Sequence, residues 1–105
     1  MTEPRRGDVW WTETPDIGRR PVLIIQRSPA IARLHSALAV PITRRMRGIA
    51  SELILGPEDG LPQECAATFD NIQPVRKSHL VERICTLSAV RMHEAFFALN
   101  AAVDC

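Results

Sequence analysis

A chain of 105 residues, 46% hydrophobic and 24% charged, has room for one domain with one core, burying roughly 60–65% of its unfolded surface on folding. No apolar run approaches the ~20 residues of a membrane span, and Met1-Thr2-Glu3-Pro4-Arg5-Arg6 has no signal-type apolar core. These features exclude a membrane-spanning helix and point to a soluble, cytoplasmic protein that gains from self-association. The formal net charge of +1 conceals a regional imbalance. No Asp or Glu occurs between Asp16 and Glu52, while Arg19, Arg20, Arg27, Arg33, Arg44, Arg45 and Arg47 all fall there. Acidic residues gather later, at Glu52, Glu58, Asp59, Glu64 and Asp70. Such asymmetry suits a phosphate-bearing ligand, because guanidinium groups grip phosphate through two parallel bonds. Cys65, Cys85 and Cys105 are odd in number, well separated and in no C-x-x-C pair, so they indicate neither a disulfide framework nor a zinc site.

In chain order, Gly7 to Glu13 is rich in β-formers and ends at the turn residues Thr14-Pro15-Asp16-Ile17-Gly18, which predicts a first strand and a hairpin loop. Trp10 and Trp11 fall on opposite faces of that strand, one in the core and one nearer the surface. Arg19-Arg20-Pro21-Val22-Leu23-Ile24-Ile25-Gln26 follows. Its proline disfavours helix for the preceding residue, and four large apolar residues predict a buried central strand with Arg19 and Arg20 at its lip.

Ser28-Pro29 reads as an N-cap and first-turn proline of a short helical turn. Ala37 to Thr43 is an apolar strand whose Pro41 implies a sheet edge, a bulge or a strand end. Arg44, Arg45 and Arg47 form a basic connection to a strand from Ser51 to Leu55, and Gly56-Pro57-Glu58-Asp59-Gly60 is a turn. Glu64–Phe69 and Ile72–Val75 are two strands broken at Asp70-Asn71. Arg76–His79 is a polar connection, and Arg83–Leu87 a last short strand. Ser88 caps a helix with Met92, Ala95, Phe96, Leu99 and Val103 on one face. Several short strands, tight turns and one closing helix argue for a mainly β, small, partly open barrel spanning residues 1–105 as a single domain.

The succession Arg6-Gly7-Asp8-Val9-Trp10, Arg20-Pro21-Val22-Leu23-Ile24-Ile25-Gln26, Val40-Pro41-Ile42-Thr43, Gly60-Leu61-Pro62 and Leu87-Ser88 before a helix with Met92 resembles the MazF/PemK toxins of toxin–antitoxin pairs. Met46-Arg47-Gly48-Ile49-Ala50-Ser51-Glu52 is most similar to the mycobacterial branch. The resemblance implies an SH3-like, PemK-type barrel, a homodimer, and a metal-independent endoribonuclease acting on single-stranded RNA, with no cofactor. It also implies a small antitoxin of the MazE type. An acidic and apolar antitoxin tail laid over the arginine-rich groove would exclude RNA. The family's two catalytic positions fall on Arg20 and Thr43. One departure is that Arg44 and Arg45 follow the threonine, where many members place a small polar residue.

The chemistry can be weighed without the family. Cleavage of RNA by its own 2′-hydroxyl needs in-line attack, stabilisation of a crowded phosphorane, and proton transfer at two oxygens. Arg20 suits the charge term, while a guanidinium is too strongly basic to serve readily as a proton acceptor at neutral pH. Thr43 can hydrogen-bond a phosphate oxygen or orient the 2′-hydroxyl. The alternatives are that Arg20 only pairs with Asp8 or Glu52, and that Thr43 merely ends a strand. Arg19, Arg44 and Arg45 are candidates for backbone phosphates, and Asn71 and Gln73 for base edges, since amides pair with bases through two bonds. No pattern brings two of His35, His79 and His93 together. The sequence therefore assigns no catalytic histidine, predicts no essential inflection near pH 6.5, and leaves the first proton acceptor open. A gyrase-poison type of toxin on the same fold uses a tryptophan near the C-terminus, which Val103-Asp104-Cys105 lacks; an RNA-binding module without cleavage is the third reading.

Overall fold

A computed structural model describes residues 3–104. Met1, Thr2 and Cys105 lie outside the described residues, and with them the start of the segment read for a signal core and the third thiol. The hairpin forms as the turn chemistry predicts: β1 (Asp8–Thr14) pairs antiparallel with β2 (Gly18–Ile24), Val9 opposite Leu23 and Thr12 opposite Arg20. Two strands flank this hairpin, β7 (Leu80–Thr86) against β1 and β3 (Ser36–Thr43) against β2. With β4 (Glu52–Leu55), β5 (Cys65–Thr68) and β6 (Gln73–Arg76), the order is β4-β5-β3-β2-β1-β7, and β6 also pairs with β3. The sheet is antiparallel and open, and the helix α2 (Ala89–Val103) packs against it.

β2 is central, and its alternation shows why the expected single core becomes two. Leu23 joins Val9, Val40, Ile42 and the helix residues Ala95 and Ala98 on one face. Val22 and Ile24 join Trp10, Ile31, Ala39, Val75 and Leu80 on the other. Consecutive apolar residues in one strand must bury both faces, and each large side chain so buried contributes about 1.5–3 kcal/mol in transfer terms. Ile25 lies just past the strand and is half-buried, its N–H donating to the Leu38 carbonyl at 3.0 Å. Trp10 is buried, whereas Trp11 is half-exposed under the Arg19 guanidinium, 5.2 Å from the ring centroid.

Pro41 is on no edge. β3 runs beside β2 from Ala39 to Pro41, while its other flank is held by β6 up to Ala39 and by β5 from Ile42. The Leu38 carbonyl accepts from the β2 side, so by strand alternation the missing N–H of Pro41 faces the other flank, in the gap between β6 and β5. Ser28 is the first residue of the short helix α1 (Ser28–Ile31), with Arg27 at the cap position; the Ser28 hydroxyl instead accepts the Arg6 N–H. β7 begins at Leu80, three residues earlier than the sequence indicates.

In α2, Ser88 caps as expected, accepting the Arg91 N–H at 3.2 Å. The buried stripe is rotated from the expected one: Ala95 and Ala98 are buried with Met92, Leu99 and Ala102 against the core, while Phe96 and Val103 are exposed. Two alanines let the helix axis approach closely, and the bulky Phe96 lies under the Arg6 guanidinium at 5.5 Å. Gly60, with φ 103°, ends the turn before β5 where any Cβ would come within 2.7 Å of the Cβ of Cys85. Cys65 is buried and Cys85 half-buried, both as free thiols.

Candidate active site

The register of three strand pairs builds the site. Val22, Leu23 and Ile24 lie opposite Pro41, Val40 and Ala39, so continuing that register by two residues sets Arg20 across from Thr43 on the same face. The pairing stops at Val22–Pro41 because β3 swings onto β5, with Ile42 opposite Ala67 and Thr43 opposite Ala66. Where the two strands part, a cleft of about 940 Å³ opens, and both Arg20 and Thr43 line it. On the other side of Arg20 the row continues through Thr12 to Leu80. The Thr12 hydroxyl in that row is buried and, among the described residues, has no hydrogen-bond partner.

Electrostatics separates these arginines from the rest of the chain. Arg20, Arg44, Arg45 and Arg76 all line the cleft, and none forms an ion pair among the described residues. The carboxylates considered for Arg20 are taken: Asp8 accepts from the Arg5 N–H, the Trp10 indole and the Thr86 hydroxyl, and Glu52 belongs to Arg47. Among the described residues no Asp or Glu lines the cleft. Thr43 accepts the Arg45 N–H at 3.1 Å, which fixes the start of the basic loop and leaves the threonine O–H able to donate. Arg19 also lines the cleft, but its guanidinium is held by Glu82 at 2.9 Å and by Trp11.

Glu52 anchors the far end of the basic loop. Its carboxylate accepts the backbone N–H groups of Arg47 and Gly48 at 2.9 and 3.0 Å and the Arg47 Nε at 3.2 Å. Burial pushes its pKa up, yet the bonds from Arg47 and Gly48 outweigh that and hold it below the ordinary carboxylate value. The Ser51 hydroxyl donates to Asp70 at 2.5 Å, tying this corner to the turn after β5.

Of the residues picked from sequence, Arg19, Arg20, Thr43, Arg44, Arg45 and Gln73 share the cleft. Asn71 does not line it; its amide donates to the Thr68 hydroxyl at 3.3 Å, in the turn between β5 and β6. The cleft also contains Gln63, Arg76 and His79, which sequence reasoning did not bring to the site. The loop after Gly60 and the turn Lys77–His79 carry no periodicity that would place them, and only the β6 and β7 pairings bring the latter back to Thr12. Among the described residues no group of three or more His, Cys, Asp or Glu side chains is arranged to hold a metal ion.

Fold and site together define a class: a small open antiparallel sheet with one closing helix, whose cationic, acid-free cleft suits a polyanionic ligand. Residues 5–103 match the family described as PemK-like, MazF-like toxin of type II toxin–antitoxin system, and the chain belongs to that family. It is 45% identical over 103 residues to the probable endoribonuclease MazF5 of Mycobacterium tuberculosis, covering 97% of this chain and 94% of that relative. To the probable endoribonuclease MazF2 of the same organism it is 40% identical over 102 residues, covering 96% and 99%. The solved structure of M. tuberculosis toxin MazF-mt6 superposes with a TM-score of 0.84 at 28% identity, over 92% of this chain and 96% of that one. An endoribonuclease in complex with its cognate antitoxin, from a mycobacterial species, gives 0.84 at 26% identity, over 95% and 94%.

Proposed function

We propose that this chain is a sequence-specific, metal-independent endoribonuclease toxin of the cytoplasm, acting as a single domain and a homodimer, and restrained by a cognate MazE-like antitoxin. The cut joins the 2′-oxygen to phosphorus and releases the 5′-oxygen, leaving 2′,3′-cyclic phosphate and 5′-hydroxyl ends. The observation that carries this reading is Arg20: a guanidinium on a buried central strand, unpaired among the described residues, across from a threonine hydroxyl in a cleft without carboxylates. A cation carried on a strand, exposed and without an ion-pair partner among the described residues, is available to a ligand's charge. Arg20 holds the non-bridging oxygens of the phosphorane, where a single preorganised donor contributes roughly 2.7–4 kcal/mol in other enzymes. Thr43 donates to the same diester.

Arg44, Arg45 and Arg76 bind neighbouring phosphates, and Arg19 does so more weakly because Glu82 competes for it. Gln73 reads a base edge; Asn71 could reach RNA only beyond the cleft margin, after breaking its bond to Thr68. The relatives named as endoribonucleases, and the neighbour solved with its antitoxin, support both the activity and the mode of restraint. Incubation with long single-stranded RNA in chelator tests the reading. Fragments with cyclic phosphate ends are expected from the wild type and not from Arg20→Ala. Retention of RNA without cutting would leave a binding module, and neither cutting nor retention a poison of another target.

A further inference from the structure

Among the described residues the cleft supplies cations and hydroxyls for the diester but no carboxylate to take the proton of the attacking 2′-hydroxyl. An arginine is essentially never deprotonated at neutral pH, and an alcohol such as Thr43 is a far weaker base than an imidazole. The other titratable group in the cleft is the thiol of Cys65, which burial, Asp59 and Glu64 push up, so it stays protonated. That leaves one side chain of the right chemistry, and it is in the cleft wall.

We propose that His79 is the general base of the cleavage step, an inference that rests on the endoribonuclease reading above. His79 ends the turn that feeds β7, is partly exposed, and among the described residues forms no side-chain hydrogen bond or ion pair. The next residue, Leu80, pairs with Thr12, and Thr12 with Arg20. Two interstrand steps of about 4.8 Å each therefore separate Leu80, the residue after His79, from Arg20. Both His79 and Arg20 line the same cleft, with Thr12 between their strands. The charged groups sharing the cleft are Arg76 from β6, Arg19 and Arg20 from β2, and Arg44 and Arg45 after β3; β1 contributes only Trp11, Thr12 and Thr14. Lys77, on the same turn, is turned away to Glu3 and the Ile31 carbonyl.

In the step, neutral His79 takes the 2′-hydroxyl proton as the O2′–P bond forms. The P–O5′ bond then breaks, and the leaving oxygen takes a proton from water in the open cleft. The hydroxide so formed neutralises the imidazolium, and no net proton is consumed. An acid limb in the rate, which the sequence alone argues against, is therefore expected.

The test measures initial rates on a long single-stranded RNA in chelator from pH 5 to 9, with folding followed by circular dichroism. The wild-type rate should rise with pH along an acid limb and then level, as a general base that must be neutral requires. His79→Gln should lose about 10²–10⁴-fold in rate together with that limb. Added imidazole should restore His79→Gly and leave Arg20→Ala inactive. A wild-type profile without the limb, a folded His79→Gln retaining rate and limb, or a folded His79→Gly that imidazole cannot rescue would each overturn the assignment. If the wild type cuts and Arg20→Ala does not, such a failure touches His79 alone; if the wild type never cuts, the endoribonuclease reading falls first.

Discussion

Two arginine-bearing corners of the molecule put the same side chain to opposite uses. Where the turn Pro57–Asp59 meets α2, Arg91 gives Nε and Nη2 to the two oxygens of Asp59 at 2.9 and 3.1 Å and Nη1 to Glu94 at 3.1 Å. Its remaining reach goes to the Ile54 carbonyl. Those bonds, first of all the one to Asp59, raise its pKa. At the cleft, Arg20, Arg44, Arg45 and Arg76 have no carboxylate among the described residues, although acids are close to equal in number to bases in the whole chain. A cation satisfied inside the fold contributes to stability, and one left unsatisfied on a rigid strand is available to a ligand. The difference lies in the partners: Asp59 and Glu94 meet Arg91, and no carboxylate among the described residues meets the cleft arginines.

Substitutions can break that comparison. Arg20→Ala is expected to lower RNA cleavage by about 10²–10³-fold while the melting temperature stays within a degree or two, read by product end analysis beside a thermal melt. Arg91→Ala is expected to do the reverse, leaving the specific activity of folded protein intact and costing about 1–3 kcal/mol in urea unfolding, because the buried Asp59 carboxylate loses its partner. Equal effects of the two on stability would erase the distinction.

Next in size is the Arg44→Ala, Arg45→Ala double variant. Each lost phosphate contact on single-stranded RNA removes about 0.7 from the slope of log affinity against log salt, so the slope should flatten by about 1.4. Arg19→Ala should change it less, since Glu82 already occupies that guanidinium. The smallest effect belongs to Glu52. A carboxylate held below its unfolded pKa stabilises the fold above that unfolded value and loses this contribution as pH falls through the folded one. Unfolding free energy should therefore decline on acidification below about pH 4.5 in the wild type, and less steeply in Glu52→Gln.

How much of this was legible in the sequence depends on the range of the interaction involved. The β2 strand, its charged lip, the Gly56–Gly60 turn and the Ser88 cap are local patterns, and they appear where the residues put them. Arg20 and Thr43 could be named from the sequence, but their opposition depends on a register between strands far apart in the chain. His79 was placed in a polar connection, and only long-range pairing turns that connection toward the cleft. In the helix, Met92, Ala95 and Leu99 face the core as their spacing indicates, but apolar bulk favours Phe96 and Val103 where close packing against the sheet takes Ala98. The same kind of error gave one core in place of two, since a run of buried residues does not reveal what covers each face.

Pro41 lies where the outer flank of β3 passes from β6 to β5. A residue with an N–H there would aim a donor into the space between the two flanking strands, and that donor would invite a third chain to zip the sheet shut. The imino acid asks for no acceptor, so the handover from β6 to β5 leaves no stranded donor at that position, and the break in pairing costs the main chain nothing there.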